Sequence, residues 1–345
     1  MTETALAPDA RDPRRPVLVR SLWPIVALAV LLAVTVASIT IGSRDVEWND
    51  IVAALGGATD NIAQGAVAKR IPRTVLALVV GAGLGLAGAV MQGVTRNPLA
   101  DPGILGVNMG ASLAVVCGMT WFGLWTQTAM IWVAIGGAAA AAVFVYIVGS
   151  LGRGGPTPLK LALAGTATSA ALVSFITAIT LPRNDIAANI RSWQIGGVGG
   201  ATFDTMTQAV PFLVVGFVLC LLSARSLNSL ALGDDVAAGL GERVALARGV
   251  SSLGAVLLCG VATALAGPIG FVGLVVPHLC RLVVGIDHRW LLPLSAVTGA
   301  ALLTAADVLG RIVARPGEID VGIITALVGA PFFVYIVRRQ KLREL

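Results

Sequence analysis

Few side chains in this sequence are placed to do chemistry, and each group has a plainer reading beside it. Gly83-Leu-Gly85-Leu-Ala-Gly88 has the G-x-G-x-x-G spacing that lets a backbone turn cradle a pyrophosphate. Such a turn follows a strand and opens a helix, whereas these glycines stand in the middle of an apolar run from Thr74 to Val94. Gly81, Gly85 and Gly88 fit a packing face instead, where small residues let one membrane helix approach another. No G-x-x-x-x-G-K-[ST] occurs, so the chain binds no ATP by that route. The two histidines, His278 and His288, have no cluster of Asp, Glu or Cys at ligand spacing, and His278 beside Pro277 reads as a structural residue at a helix end. Cys117, Cys220, Cys259 and Cys280 lie in or beside apolar runs without a C-x-x-C pair, as small hydrophobes do. No metal site is expected. Asp307 is the one acid inside a late apolar run, and Arg311 stands four residues on. A carboxylate in a membrane is a functional suspect by default, here as a proton carrier. An i,i+4 ion pair is the simpler reading and the favoured one.

The elements that position these residues are set by composition. Of 345 residues, 57% are hydrophobic and only 12% are charged, about half the charge of a soluble domain, so the apolar content exceeds what a buried core requires. The chain is expected to be an all-α, polytopic membrane protein. Apolar runs lie near 22–42, 74–94, 103–122, 127–149, 159–181, 206–223, 244–266, 269–284, 291–310 and 319–337, which predicts about ten transmembrane helices over 21–340. The eighth is short and carries Pro277 and His278. Residues 1–20, rich in Pro and Arg, read as a disordered tail, and 341–345 as a second tail. The basic stretch Arg11–Arg20 leads into an apolar run too long for a signal peptide, so that run is expected to be retained as the first helix.

Lysine and arginine set the orientation. The side holding both termini carries about twice as many as the other, so both termini are expected in the cytoplasm, in a multi-pass protein of the cytoplasmic membrane. The net charge of +6 fits this bias and gives no reason to expect nucleic acid as a partner. Lys69, Arg70 and Arg73 cluster on the opposite side and work against the orientation signal, which points to another use. The stretch 43–73 reads as an outer loop. Residues 224–243 read as a short amphipathic helix with Asp234 and Asp235 at its positive N-terminal end, suited to docking a partner or else a solvated loop helix. Leu86-Ala87-Gly88 with Pro98, and Leu265-Ala266-Gly267 with Pro277, form a weak echo of an inverted repeat.

Several stretches together resemble one family. They are Arg70-Ile-Pro-Arg73, Gln92 with Asn97-Pro98-Leu99-Ala100-Asp101-Pro102, and Gly267-Pro-Ile-Gly-Phe-Val-Gly-Leu-Val-Val-Pro-His278-Leu-Cys-Arg281. Trp193-Gln-Ile-Gly-Gly-Val-Gly-Gly200, Ala306-Asp307 with Arg311, Glu318 and Gly329-Ala-Pro-Phe-Phe333 fit the same pattern. Over about residues 20–340 the chain resembles the FecCD-type permeases of ABC importers for iron-siderophores and vitamin B12. The resemblance implies a vitamin B12-permease-like (type II importer) fold and a transport subunit that is no enzyme. It also implies a second permease copy or paralogue, two cytoplasmic ATPase subunits that use ATP and Mg, and an extracytoplasmic solute-binding protein. No cofactor is bound by the chain itself. Arg70, Arg73 and Arg311 match the outer arginines that grip acidic residues of the binding protein. Residues 228–241 match the coupling helices, with Leu232, Gly233, Ala237, Leu240 and Gly241 in the recurring pattern. Thr157, Pro158 and Leu159 are the cytoplasmic gate candidates, although Pro156-Thr157-Pro158 stiffens a turn that often bears hydroxyls in relatives. Glu318-Ile-Asp320 carries an acid where relatives have proline. A ferric siderophore is the expected substrate, with vitamin B12 or haem as alternatives. The rival from another class is a proton-coupled secondary transporter working through Asp307.

Overall fold

A computed structural model describes residues 17–103, 105–151, 158–183, 190 and 193–341. All regular structure among them is helical. In order these are α1 (Val17–Thr40), α2 (Trp48–Leu55), α3 (Ile62–Thr95), α4 (Val107–Phe122), α5 (Gln127–Ser150), α6 (Pro158–Thr180), α7 (Phe203–Leu222), α8 (Ala224–Ala231), α9 (Asp234–Gly239), α10 (Val244–Ala266), α11 (Val272–Val284), α12 (His288–Val313) and α13 (Val321–Lys341). Seven are long and apolar enough to cross a membrane, and α4, α11 and α13 contain shorter apolar helices, so each predicted run becomes one helix. Helix is the expected outcome, because a segment in lipid must satisfy its backbone hydrogen bonds internally. The first helix starts at Val17, inside the stretch read as a tail; residues 1–16 and 342–345 lie outside those described.

The largest departure from the sequence reading is at 43–73. That stretch contains α2 and the first turns of α3, which runs 34 residues rather than the 21 of its apolar part. Asn61 caps α3, its side-chain oxygen accepting from the Gln64 backbone N–H at 2.8 Å. The helix continues through Pro72 and stops at Arg96, which takes the left-handed conformation (φ 51°) and returns its N–H to the Gln92 and Gly93 carbonyls. At about 1.5 Å per residue, α3 is some 50 Å long, enough to cross the hydrocarbon and project beyond it.

Around α3 the bundle is assembled. Of its most apolar window 78% is buried, against 6% for α1 and 11% for α6, so α3 is the centre and those two are the periphery. It packs on α12, α10 and α11. The contact with α12 is backbone on backbone: Gly81 faces Gly299, and Gly85 faces Ser295, with no room for a Cβ at either glycine. Gly88 meets Gly273 of α11 in the same way. Lipid removes the hydrophobic drive to associate, and such close approach recovers dispersion contact between helices.

Two spans are too short to cross alone. Helices α4 and α11 have 16 and 13 residues, about 24 and 20 Å, and each follows a non-helical stretch turned into the protein. The stretches meet where Asn108 Nδ2 donates to the Ile269 carbonyl at 3.4 Å. Gln92 Nε2 donates to the Gly273 carbonyl at 3.1 Å. Irregular backbone at membrane depth is tolerated because protein, not lipid, surrounds it. The repeated Leu-Ala-Gly does not mark equivalent places, since Gly88 lies inside α3 while Gly267 caps α10.

Candidate functional site

Chemistry-bearing side chains gather at the two opposite ends of α3 and α12. At one end, Arg70, Arg73 and Arg311 meet at a cavity of about 490 Å³. Arg70 and Arg73 lie one turn apart on α3, and α12 brings Arg311 beside them through the glycine contact. Arg70 donates to the carbonyls of Ile39 and Thr40 at 3.2 and 2.9 Å and to that of Arg44 at 2.8 Å. Two of these carbonyls belong to the last turn of α1, where partial negative charge collects and a cation is favourable.

Asp307 is fully buried and lies between two guanidinium groups. Arg73 Nη2 reaches its Oδ1 at 2.8 Å, and Arg311 Nη2 reaches its Oδ2 at 2.8 Å. The i,i+4 pair read from the sequence is present, and Arg73 from α3 is a partner that local spacing could not reveal. Arg311 also donates to the Ser38 carbonyl at 2.8 Å and to the Ser38 hydroxyl at 2.6 Å. With both oxygens occupied, Asp307 has the setting of an ion-pair anchor. Arg73 further pairs with Glu318. Burial alone would raise the Glu318 carboxyl, but Arg73, Ser43 and Arg311 hold it below the usual glutamate range. Burial pushes the neighbouring Asp320 carboxyl up, against the pull of Arg73.

The three arginines form the inner wall of the cavity: Arg70 and Arg311 are 6% and 1% exposed. Its rim is Arg44 and Lys69, both exposed. Five cationic side chains thus line the cavity against the single carboxylate Glu318. The chemistry this surface suits is binding a projecting carboxylate, with Arg70 held by backbone carbonyls, Arg73 by carboxylates, and Arg44 and Lys69 exposed at the rim. Sequence reading placed Lys69 in the cluster without a role and gave no role to Arg44 or Ser38.

At the other end lie α8 and α9. The single amphipathic helix expected there is two, broken at Leu232-Gly233, where Gly233 has φ +108°. Gly241 closes the unit with φ +87°, a second position suited to glycine. Leu227, Leu230 and Ala237 face inward, while Leu232, Val236 and Leu240 are 60%, 52% and 66% exposed. The exposed apolar residues are clustered on a polar segment, which is how a docking surface looks. Asp234 pairs with Arg96 at the end of α3 and with Arg248 of α10 at 2.9 Å. Asn228 donates to Asp287 Oδ1 at 2.7 Å, and its oxygen accepts from the His288 backbone N–H at 2.9 Å. Burial would raise the Asp287 carboxyl, but Asn228 and the Arg289 N–H hold it below the usual range.

Of the gate candidates, Thr157 lies outside the described residues, Pro158 opens α6, and Leu159 is 70% exposed. His278 packs edge-on against Phe332, with ring centres 6.0 Å apart. Cys220, Cys259 and Cys280 are buried free thiols, and Cys117 is partly buried.

Residues 30–339 match the FecCD transport family. The chain is 42% identical over 315 residues to the ferric enterobactin transport system permease protein FepD of Escherichia coli, covering 91% of this chain and 94% of that one. It is 41% identical over 275 residues to the hemin transport system permease protein HmuU of Yersinia pestis, covering 79% and 82%. Among solved structures, an inward-facing metal-chelate type ABC transporter superposes with a TM-score of 0.78 at 26% identity, covering 92% of this chain and 99% of that one.

Proposed function

The chain belongs to the FecCD transport family, and we propose that its two ends are the two docking faces of an importer. It is a membrane permease subunit of an ABC importer for a ferric-siderophore-type substrate. In the proposed arrangement the arginine cavity faces outward and receives acidic side chains of the solute-binding protein. The 224–241 segment faces the cytoplasm and sits on an ATPase subunit through Leu232, Val236 and Leu240. Both termini then lie in the cytoplasm, as the Lys/Arg bias favours.

The observation that carries this reading is the cavity lined by Arg44, Lys69, Arg70, Arg73 and Arg311, with Arg44 and Lys69 exposed at its rim. A second permease subunit completes the pathway. Peripheral helix α6 supports that, because Thr166, Ser174 and Thr177 form an exposed hydroxyl stripe along an otherwise apolar face. Movement of the 224–241 segment on ATP binding would open the path between the two permeases, first to one side and then to the other. Little chemistry is asked of the tunnel itself, since a large chelate moves best along a surface that binds it weakly.

The docking assignment is tested by reversing the rim. Arg44→Glu with Lys69→Glu alters two exposed side chains and leaves the Asp307 ion pairs in place. We expect the affinity for the ligand-loaded binding protein to fall at least about tenfold, as loss of interfacial charge pairing does, and uptake to fall with it. Unchanged affinity and uptake would remove the docking role from this cavity.

A further inference from the structure

We propose that Asp234 and Asn228 are positioning residues that fasten the 224–241 segment to a single α3–α12 strut, through which binding-protein docking reaches the ATPase. This rests on the assignment of the two ends given above. The strut is visible in the packing: α3 and α12 touch backbone to backbone at Gly81 and Gly299 and again at Gly85 and Ser295. Backbone lies against backbone at two successive turns, a dense contact with no side chain between the helices, and the proposal treats the pair as one unit. At the cavity end the same two helices are joined by Arg73–Asp307. At the opposite end a Cβ on Gly93 of α3 would come within 2.7 Å of the His288 ring of α12, so contact persists along the pair.

Each helix then has its own hold on the coupling segment. Arg96, one residue beyond α3, reaches Asp234 of α9. Asp287 and His288, at the start of α12, hold Asn228 of α8. Arg96 has a left-handed backbone (φ 51°) where α3 ends, and its side chain makes the contact to α9. Arg248 of α10 shares the Asp234 carboxylate, tying a third helix to the same point. A displacement of the cavity end is therefore delivered to 224–241 through two attachments, instead of being lost in a loose loop.

The test uses the assembled importer in lipid nanodiscs, comparing ATP hydrolysis with and without ligand-loaded binding protein. Asp234→Asn and Arg96→Gln should each lower the ratio of stimulated to basal hydrolysis by about fivefold, the low end of an allosteric coupling. The double variant should do no worse than Asp234→Asn alone, because Asp234→Asn already removes the Arg96 contact along with that of Arg248. Asn228→Ala should lower the ratio by its own, separate increment. Retention of the wild-type ratio in Asp234→Asn, with the ATPase and the binding protein both still bound, would overturn the proposal. Additive losses in the double variant would do so as well. Failure of the end assignments would show separately, as wild-type affinity for the binding protein in Arg44→Glu, Lys69→Glu.

Discussion

The two ends of the α3–α12 pair use the same ion chemistry in opposite settings. At the cavity end, Asp307 and Arg311 are 0% and 1% exposed, and they are held by each other, by Arg73 and by Ser38. At the coupling end, Asp234, Arg96 and Arg248 are 43%, 37% and 30% exposed. Buried pairs are costly to break, since the partner left behind keeps its desolvation penalty, while exposed pairs contribute about 0–1 kcal/mol. The first arrangement fixes geometry. The second fastens a segment at the surface, where water and salt weaken each contact.

This contrast can be broken by substitution, and Asp307 should give the largest effect. Asp307→Ala leaves the buried Arg311 guanidinium without its carboxylate and Arg73 with Glu318 alone, and should cost about 3–5 kcal/mol, seen as a large loss of melting temperature in detergent. A melting temperature near that of the wild type would show that the anchor is not structural. Next comes the helix contact: Gly85→Leu forces α3 away from Ser295 and should cost about 1–3 kcal/mol or prevent insertion. Normal stability there would mean that the two helices separate easily. Leu240→Glu lies at the opposite extreme, because its side chain is 66% exposed. It should leave the stability within about 0.5 kcal/mol of the wild type while abolishing uptake and releasing the ATPase subunit from the purified complex.

The smallest effect is expected from pH. Glu318 is held below the usual glutamate range by Arg73, so its contribution is fully present above about pH 4.3. It is lost as pH falls through the lowered folded value. Glu318→Gln should flatten the acid limb of a stability profile without changing it near pH 7. An unchanged acid limb would place the sensitivity elsewhere.

Periodicity and composition made the apolar helices legible, and the quoted motifs made the family legible. The glycine face was readable because Gly81, Gly85 and Gly88 recur at helical spacing in one run. What escaped was non-local. Lys69, Arg70 and Arg73 interrupt the apolar pattern, so the helix was read as starting at Thr74, yet Arg70 is held by α1 and Arg73 by Asp307 and Glu318. Arg73 and Asp307 are 234 residues apart, and Arg96 and Asp234 are 138 apart; no spacing rule connects them. Arg311 with Asp307 was visible for the opposite reason, being one helical turn away. The break at Leu232-Gly233 was hidden because an amphipathic pattern continues across it. The burial of Arg70 and Arg311 was hidden too, since arginines at a membrane edge are expected to face water.

Transport itself tests the account most directly. The importer, reconstituted in proteoliposomes with its ATPase and binding protein, is given a ferric siderophore while an ionophore collapses the proton gradient. Uptake should continue, should require ATP at the face carrying 224–241, and should stop when the binding protein is omitted from the face carrying Arg70 and Arg73. Uptake that survives without ATP and vanishes with the gradient would contradict the account and return Asp307 to the role of proton carrier.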